Sequence, residues 1–153
     1  MKRKKHNLCL VSNSGGHWEQ CKKLKPLIDK HGGFFVTEKT KFGADEARYL
    51  MIPTDLKDKW WIPKMMVNFL HAAWICLKER PDFVISCGSM AVYPFYIYSF
   101  FFRKKFIHVE TFGRANMATV TGKKVEKHCN LFIVQWETQK KFYKNAIYGG
   151  CLY

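Results

Sequence analysis

Short apolar runs broken by glycine-rich or polar turns recur along this chain. Leu8-Cys9-Leu10-Val11 lies within Asn7–Asn13 and meets Ser14-Gly15-Gly16, which reads as a buried strand feeding a helix that starts near His17. Trp18, Cys21, Leu24 and Ile28 follow at helical spacing, with Pro26 placed to kink or end that helix. Phe34–Thr37 reads as a second strand, and Tyr49–Pro53 as a weaker third. Ile62, Met65, Met66, Phe69, Leu70, Ala73, Trp74 and Leu77 form an apolar stripe at helical period, and Lys64, Asn68, His71 and Lys78 lie off it. Pro81-Asp82 ends that helix. Phe83–Cys87, Phe106–Glu110 and Leu131–Gln135 read as further strands, Ala91–Phe102 as a helix apolar nearly all round, and Glu137–Asn145 as a last short helix.

Strands alternating with helices predict βαβ units, hence a parallel sheet covered by helices on both faces. Ligands of such sheets gather at the carboxyl ends of the strands. Three loops fall there: Ser12–His17, Cys87–Met90 and Glu110–Arg114. With 153 residues the chain is long enough for one domain with a substantial core, taken as residues 1–153, and too short for two.

Charge narrows the partners. Lys and Arg total 26 against 12 Asp and Glu, a formal net charge of +14, which favours nucleic acid, an anionic membrane surface or phosphorylated substrates. Helix-turn-helix, RNP-type and zinc patterns are missing, which argues against nucleic acid. The six cysteines form no C-x-x-C pair and read as free thiols. No metal is signalled, since there is no Asp-x-Asp motif. No secretory signal is visible and no apolar run reaches 18 residues, so any membrane attachment is expected to be peripheral.

Candidate chemistry starts at the glycine turn. Glycines allow close backbone approach and a helix start offers unpaired N–H groups, so Ser14, Gly15 and Gly16 are candidates for a diphosphate. The turn is neither G-x-G-x-x-G nor a Walker loop, and plain turn geometry explains it as well. A helix start favours the neutral imidazole of His17, a base for a sugar hydroxyl. The other role open to His17 is hydrogen bonding without proton transfer.

Four blocks carry a resemblance: Ser14-Gly15-Gly16-His17; Val109-Glu110-Thr111-Phe112-Gly113-Arg114; Thr121-Gly122-Lys123; and Phe132-Ile133-Val134-Gln135-Trp136 with Tyr148-Gly149-Gly150 behind it. In this order the chain resembles the bacterial polysaccharide-biosynthesis subunits of the CpsF/PssD/EpsE type. These are similar to the membrane-recruiting subunit of the eukaryotic two-part N-acetylglucosaminyltransferase of N-glycan assembly. The resemblance implies a Rossmann-like N-terminal half of a GT-B glycosyltransferase. It implies an acceptor-binding subunit for a polyprenyl-diphosphate-linked saccharide in capsule or exopolysaccharide assembly, at the cytoplasmic face of the membrane. A small partner, the other GT-B half, would carry the nucleotide-sugar site, and no cofactor is implied. The alternative is a scaffold that recruits and enhances that partner without touching substrate.

Under the resemblance His17 and Glu110 are the catalytic candidates, and Ser14, Gly15, Gly16, Arg114, Gln135 and Trp136 the acceptor-binding ones. Glu110 is a base, a hydroxyl-positioning acceptor or an ion-pair partner of Arg114; Trp136 stacks on a sugar or simply packs. For membrane contact the candidates are Tyr93, Phe95, Tyr96, Phe101, Arg103, Lys104 and Lys105, aromatic residues beside a basic cluster. A helix buried against the sheet would also be apolar there. Trp60-Trp61, beside Lys57, Lys59 and Lys64, is a second interfacial candidate.

Overall fold

The computed structural model describes residues 6–40 and 44–153. Seven strands form one all-parallel sheet: β1 (Leu8–Val11), β2 (Gly33–Glu38), β3 (Tyr49–Met51), β4 (Phe83–Ser86), β5 (Lys105–Val109), β6 (Leu131–Val134) and β7 (Ala146–Tyr148). Their order is β3-β2-β1-β4-β5-β6-β7. The register sets Leu10 beside Phe35 and Ile85, and Ser86 beside His108. Winding reverses between β1 and β4, which opens a crevice at their carboxyl ends.

Alternation along β1 splits the core in two. Cys9 and Val11 face α3 (Trp61–Glu79) and α4 (Val92–Phe101), packing with Ala72, Ile75, Cys76, Val92 and Phe95. Leu8 and Leu10 face the other layer, α1 (Gly16–Lys22) and α2 (Lys25–His31), through Trp18, Cys21 and Ile28. Helices therefore cover both faces, as the pattern predicts. The first predicted helix is divided at Lys23-Leu24, and Pro26 sits in the first turn of α2, where its missing N–H costs nothing.

Four elements differ from the sequence reading. Most of the apolar stripe of α3 faces outward: Ile62, Met66, Leu70, Trp74 and Leu77 are exposed, Leu70 by 74%, while Met65 is buried. The inward face is Met65, Asn68, Ala72, Ile75 and Cys76. Small Ala72 and Cys76 let α3 approach the sheet. Asn68 is satisfied there, its amide donating to Ile52 O (2.8 Å) and its oxygen accepting from Ile52 N–H (2.9 Å). A short helix, α5 (Val120–Val125), forms around the Thr-Gly-Lys block, and β7 adds an edge strand. Finally, the predicted last helix is a 3-10 segment, Glu137–Phe142.

Candidate functional site

The crevice at the β1–β4 reversal is bridged by direct bonds between its two loops. Asn13 N–H donates to Gly88 O (3.3 Å), and the Asn13 side chain accepts from Ala91 N–H (2.9 Å). Gly88 has φ 91° and Ser89 φ 108°; for Ser89 that conformation costs about 1–3 kcal/mol. The loop is thus pressed against His17, and a Cβ on Gly88 would lie 3.1 Å from the imidazole Cε1.

A cavity of about 350 Å³ opens here. His17 lies on one side with Gly88 and Ser89; Glu110, Thr111, Gly113 and Arg114 follow β5, and Thr119–Thr121 begin α5. His17 Nδ1 lies 2.8 Å from Cys87 O. A carbonyl only accepts, so Nδ1 carries a proton, and in the neutral ring the lone pair lies on Nε2.

Glu110 is almost fully buried, and its carboxylate is spoken for. Oε1 accepts from Thr111 N–H (2.8 Å), and Oε2 accepts from the hydroxyls of Thr119 (2.8 Å) and Tyr143. Behind it His108 is fully buried, its Nδ1 3.0 Å from Ser86 Oγ and its Nε2 3.9 Å from Glu110 Oε2. Burial pushes the His108 pKa down to about 4, partly offset by the charge of Glu110. Arg114 does not pair with Glu110: its guanidinium is exposed and contacts Met117 Sδ at 3.2 Å.

Three buried glutamines shape the loop after β5. Gln20 and Gln135 both donate to Glu110 O (3.4 and 2.9 Å), and Gln20 also accepts from Phe112 N–H (3.1 Å). Gln139 donates to Thr111 O and Arg114 O (3.1 and 2.9 Å) and accepts from Gln135 N–H and Trp136 N–H.

The structure therefore brings His17, Glu110 and Arg114 together and leaves other candidates aside. Ser14 turns to the buried Glu38, 3.4 Å from its amide nitrogen. Gly15 and Gly16 face open space, Gly16 beside a second opening that His17 also lines. Gln135 is buried and bonded only to backbone, so it supports the loop and cannot reach a ligand. Trp136 donates from its indole to Phe112 O (2.7 Å) and packs on the Phe112 ring, 4.7 Å between centroids. Ser89, Thr119 and Tyr143 were not singled out from sequence. Ser89 lies within the Cys87–Met90 loop and Thr119 just ahead of the Thr-Gly-Lys block, whereas nothing in the sequence near Tyr143 points to the site.

Among the membrane candidates, Phe95 is a correction: at 0% exposure it lies inside the core and cannot meet a bilayer. Tyr93 and Tyr96 are partly buried; Phe101, Arg103 and Lys105 are exposed and Lys104 half-buried. Among the described residues no helix is long and apolar enough to cross a membrane.

Comparison with known proteins gives the family. The family described as "Oligosaccharide biosynthesis protein Alg14 like" matches residues 59–152, well over half of the chain. The chain belongs to this family. A curated Alg14 relative, the "UDP-N-acetylglucosamine transferase subunit ALG14" of Candida albicans, is 29% identical over 97 residues, which is 60% of this chain and 44% of that protein. The chain thus spans less than half the length of that curated relative.

Solved structures match across the sheet. UDP-N-acetylglucosamine 2-epimerase from Rickettsia bellii aligns with TM-score 0.76 at 11% identity, over 97% of this chain and 45% of that one. MurG from Acinetobacter baumannii aligns with TM-score 0.70 at 9% identity, over 87% and 42%. At such identities the likeness establishes fold alone: this Alg14-like chain has the Rossmann-like architecture of the N-terminal half of a GT-B enzyme.

Proposed function

We propose that the chain is the acceptor-side subunit of a two-part glycosyltransferase. It binds a saccharide linked to a polyprenyl diphosphate, and a second GT-B half supplies the nucleotide-sugar site. The setting is bacterial capsule or exopolysaccharide assembly on the cytoplasmic face of the membrane. The observation that carries this reading is the cavity at the β1–β4 reversal, lined by His17, Ser89, Glu110 and Arg114, in a chain of the Alg14-like family.

His17 Nε2 takes the proton of the acceptor hydroxyl as its oxygen bonds to the anomeric carbon of the donor, and the nucleoside diphosphate leaves with the electron pair. Arg114 supplies positive charge for a diphosphate. Glu110 acts as a positioning residue, since both its oxygens already hold protein donors. Attachment to the bilayer falls to the exposed apolar side chains of α3 with Phe100, Phe101 and the Arg103-Lys104-Lys105 cluster, which combine apolar surface with cations.

The test is co-expression with a small GT-B C-terminal-half protein and an assay of sugar transfer from UDP-N-acetylglucosamine to polyprenyl-diphosphate N-acetylglucosamine. Activity of the pair, lost in His17→Ala while the complex survives, is expected. Full activity of His17→Ala would instead leave the chain a recruiting scaffold. An inert pair on a panel of lipid acceptors, run beside a working two-part enzyme, refutes the transferase reading.

A further inference from the structure

A second cavity adjoins the polar one. It is a groove of about 510 Å³ between α3 and α4, and it shares Ser89, Val120 and Thr121 with the polar cavity. Its α3 wall is Trp61, Met65 and Phe69; its α4 wall is Tyr93, Tyr96 and Ile97. Met65 and Met90 are unbranched and polarizable, so this lining adapts to an irregular chain. Among the described residues no acidic side chain lines the groove, and its one charged group is Lys124, whose Nζ stands 5.4 Å from the Tyr93 ring centroid. At the junction the Tyr93 hydroxyl meets Thr121 Oγ1 at 3.4 Å.

The two cavities ask for opposite chemistries and meet at three residues. A ligand satisfies both only if it is polar at one end, apolar at the other and anionic between them, where Lys124 beside Tyr93 supplies charge and Arg114 adds to it from the polar cavity. The apolar end also has a route outward: Trp60, just ahead of α3, and Ile62, in its first turn, flank Trp61 and are exposed. We propose that the groove takes the first isoprene units of a polyprenyl diphosphate, its diphosphate lying at the Ser89–Thr121 junction and its sugar in the polar cavity. This rests on the acceptor-site reading above.

The probes are N-acetylglucosamine diphosphate esterified with a methyl or with a geranyl group, titrated calorimetrically into the full chain. Each buried methylene is worth about a fourfold gain in affinity, so four buried carbons give about 250-fold. The geranyl ester is expected to bind at least thirtyfold tighter than the methyl ester. Ile97→Asp, on the half-exposed α4 wall, is expected to bring the geranyl ester to within threefold of the methyl ester and to leave methyl binding unchanged. Should that variant fail to fold by circular dichroism, Met90→Asp in the loop carries the same comparison. Leu27→Asp, on α2 across the sheet, is expected to keep the wild-type ratio. Equal binding of both esters overturns the groove and leaves the acceptor site standing. Loss of the ratio in Leu27→Asp shows unspecific adhesion and also overturns the groove. Binding of neither ester overturns the acceptor site and the groove together.

Discussion

Replacing Gly122 by alanine sets two effects of opposite sign against each other. Helix propensity favours alanine in α5 by about 1 kcal/mol. Packing opposes it: the new Cβ would stand 2.5 Å from the Tyr143 hydroxyl, 2.9 Å from Thr119 Oγ1 and nearer still to Glu110 Oε2. None of these atoms is a loose end. Both hydroxyls donate to Glu110, and the Tyr143 oxygen also accepts from Thr119 N–H at 3.0 Å. To admit the methyl group at least one hydrogen bond to the buried carboxylate must break, at about 1.5–3 kcal/mol. Overpacking adds about 1–3 kcal/mol. Packing wins, and Gly122→Ala is expected to lose about 1.5–5 kcal/mol net of propensity. Urea denaturation followed by circular dichroism measures it as a lower midpoint at unchanged slope. In a Tyr143→Phe background, where the crowded hydroxyl is gone, the same substitution should cost at least about 1 kcal/mol less. A Gly122→Ala protein as stable as wild type, or more so, refutes the reasoning: the glycine would then be there for no steric cause.

Further outcomes concern the site and its surroundings. Gly88→Ala, strained at φ 91° and crowding His17, should fold with a loss of about 1–2 kcal/mol and abolish transfer by the paired enzyme. His108 binds its proton more weakly folded than unfolded, so its contribution is present above about pH 6.5 and is lost as the pH falls toward 4, at about 1.4 kcal/mol per unit. Denaturation midpoints across that window should fall less steeply for His108→Asn. Leu70→Asp on the outward face of α3 should leave the melting temperature within a degree or two and cut co-sedimentation with anionic vesicles several-fold. Asn68→Ala, which strands both Ile52 backbone groups, should cost about 2–3 kcal/mol in the same urea assay.

How much of this was legible beforehand varied with the kind of signal. The strands β1, β2, β4, β5 and β6 are dense apolar runs between turn residues, and the alternation with helices fixed the parallel sheet. Periodicity told that residues 61–79 form a helix but not which side is inside, because apolar residues run nearly all round it. The sheet selects the side with small Ala72 and Cys76, while bulky Leu70 and Trp74 face out. β7 escaped because a three-residue edge strand with Ile147 and Tyr148 exposed carries no period. His17, Glu110 and Arg114 come to one cavity because all three lie in loops at the carboxyl ends of strands. The partners of Glu110 were not, since Tyr143 lies 33 residues away and only tertiary packing makes it a neighbour.

The glutamine clamp around residues 110–114 has a bearing on how rate data from this protein are to be read. Amides neither titrate nor form ion pairs, so the hold that the glutamines exert on the loop does not change with buffer or ionic strength. Under the proposed function, inflections in a pH–rate profile are then to be sought first in groups that touch the substrate, and salt effects on rate in encounter with the membrane or the diphosphate. The same neutrality leaves the clamp little room for substitution. Each of these glutamines both donates and accepts, a pair of tasks that glutamate, of nearly identical size, cannot perform at the same position once ionised.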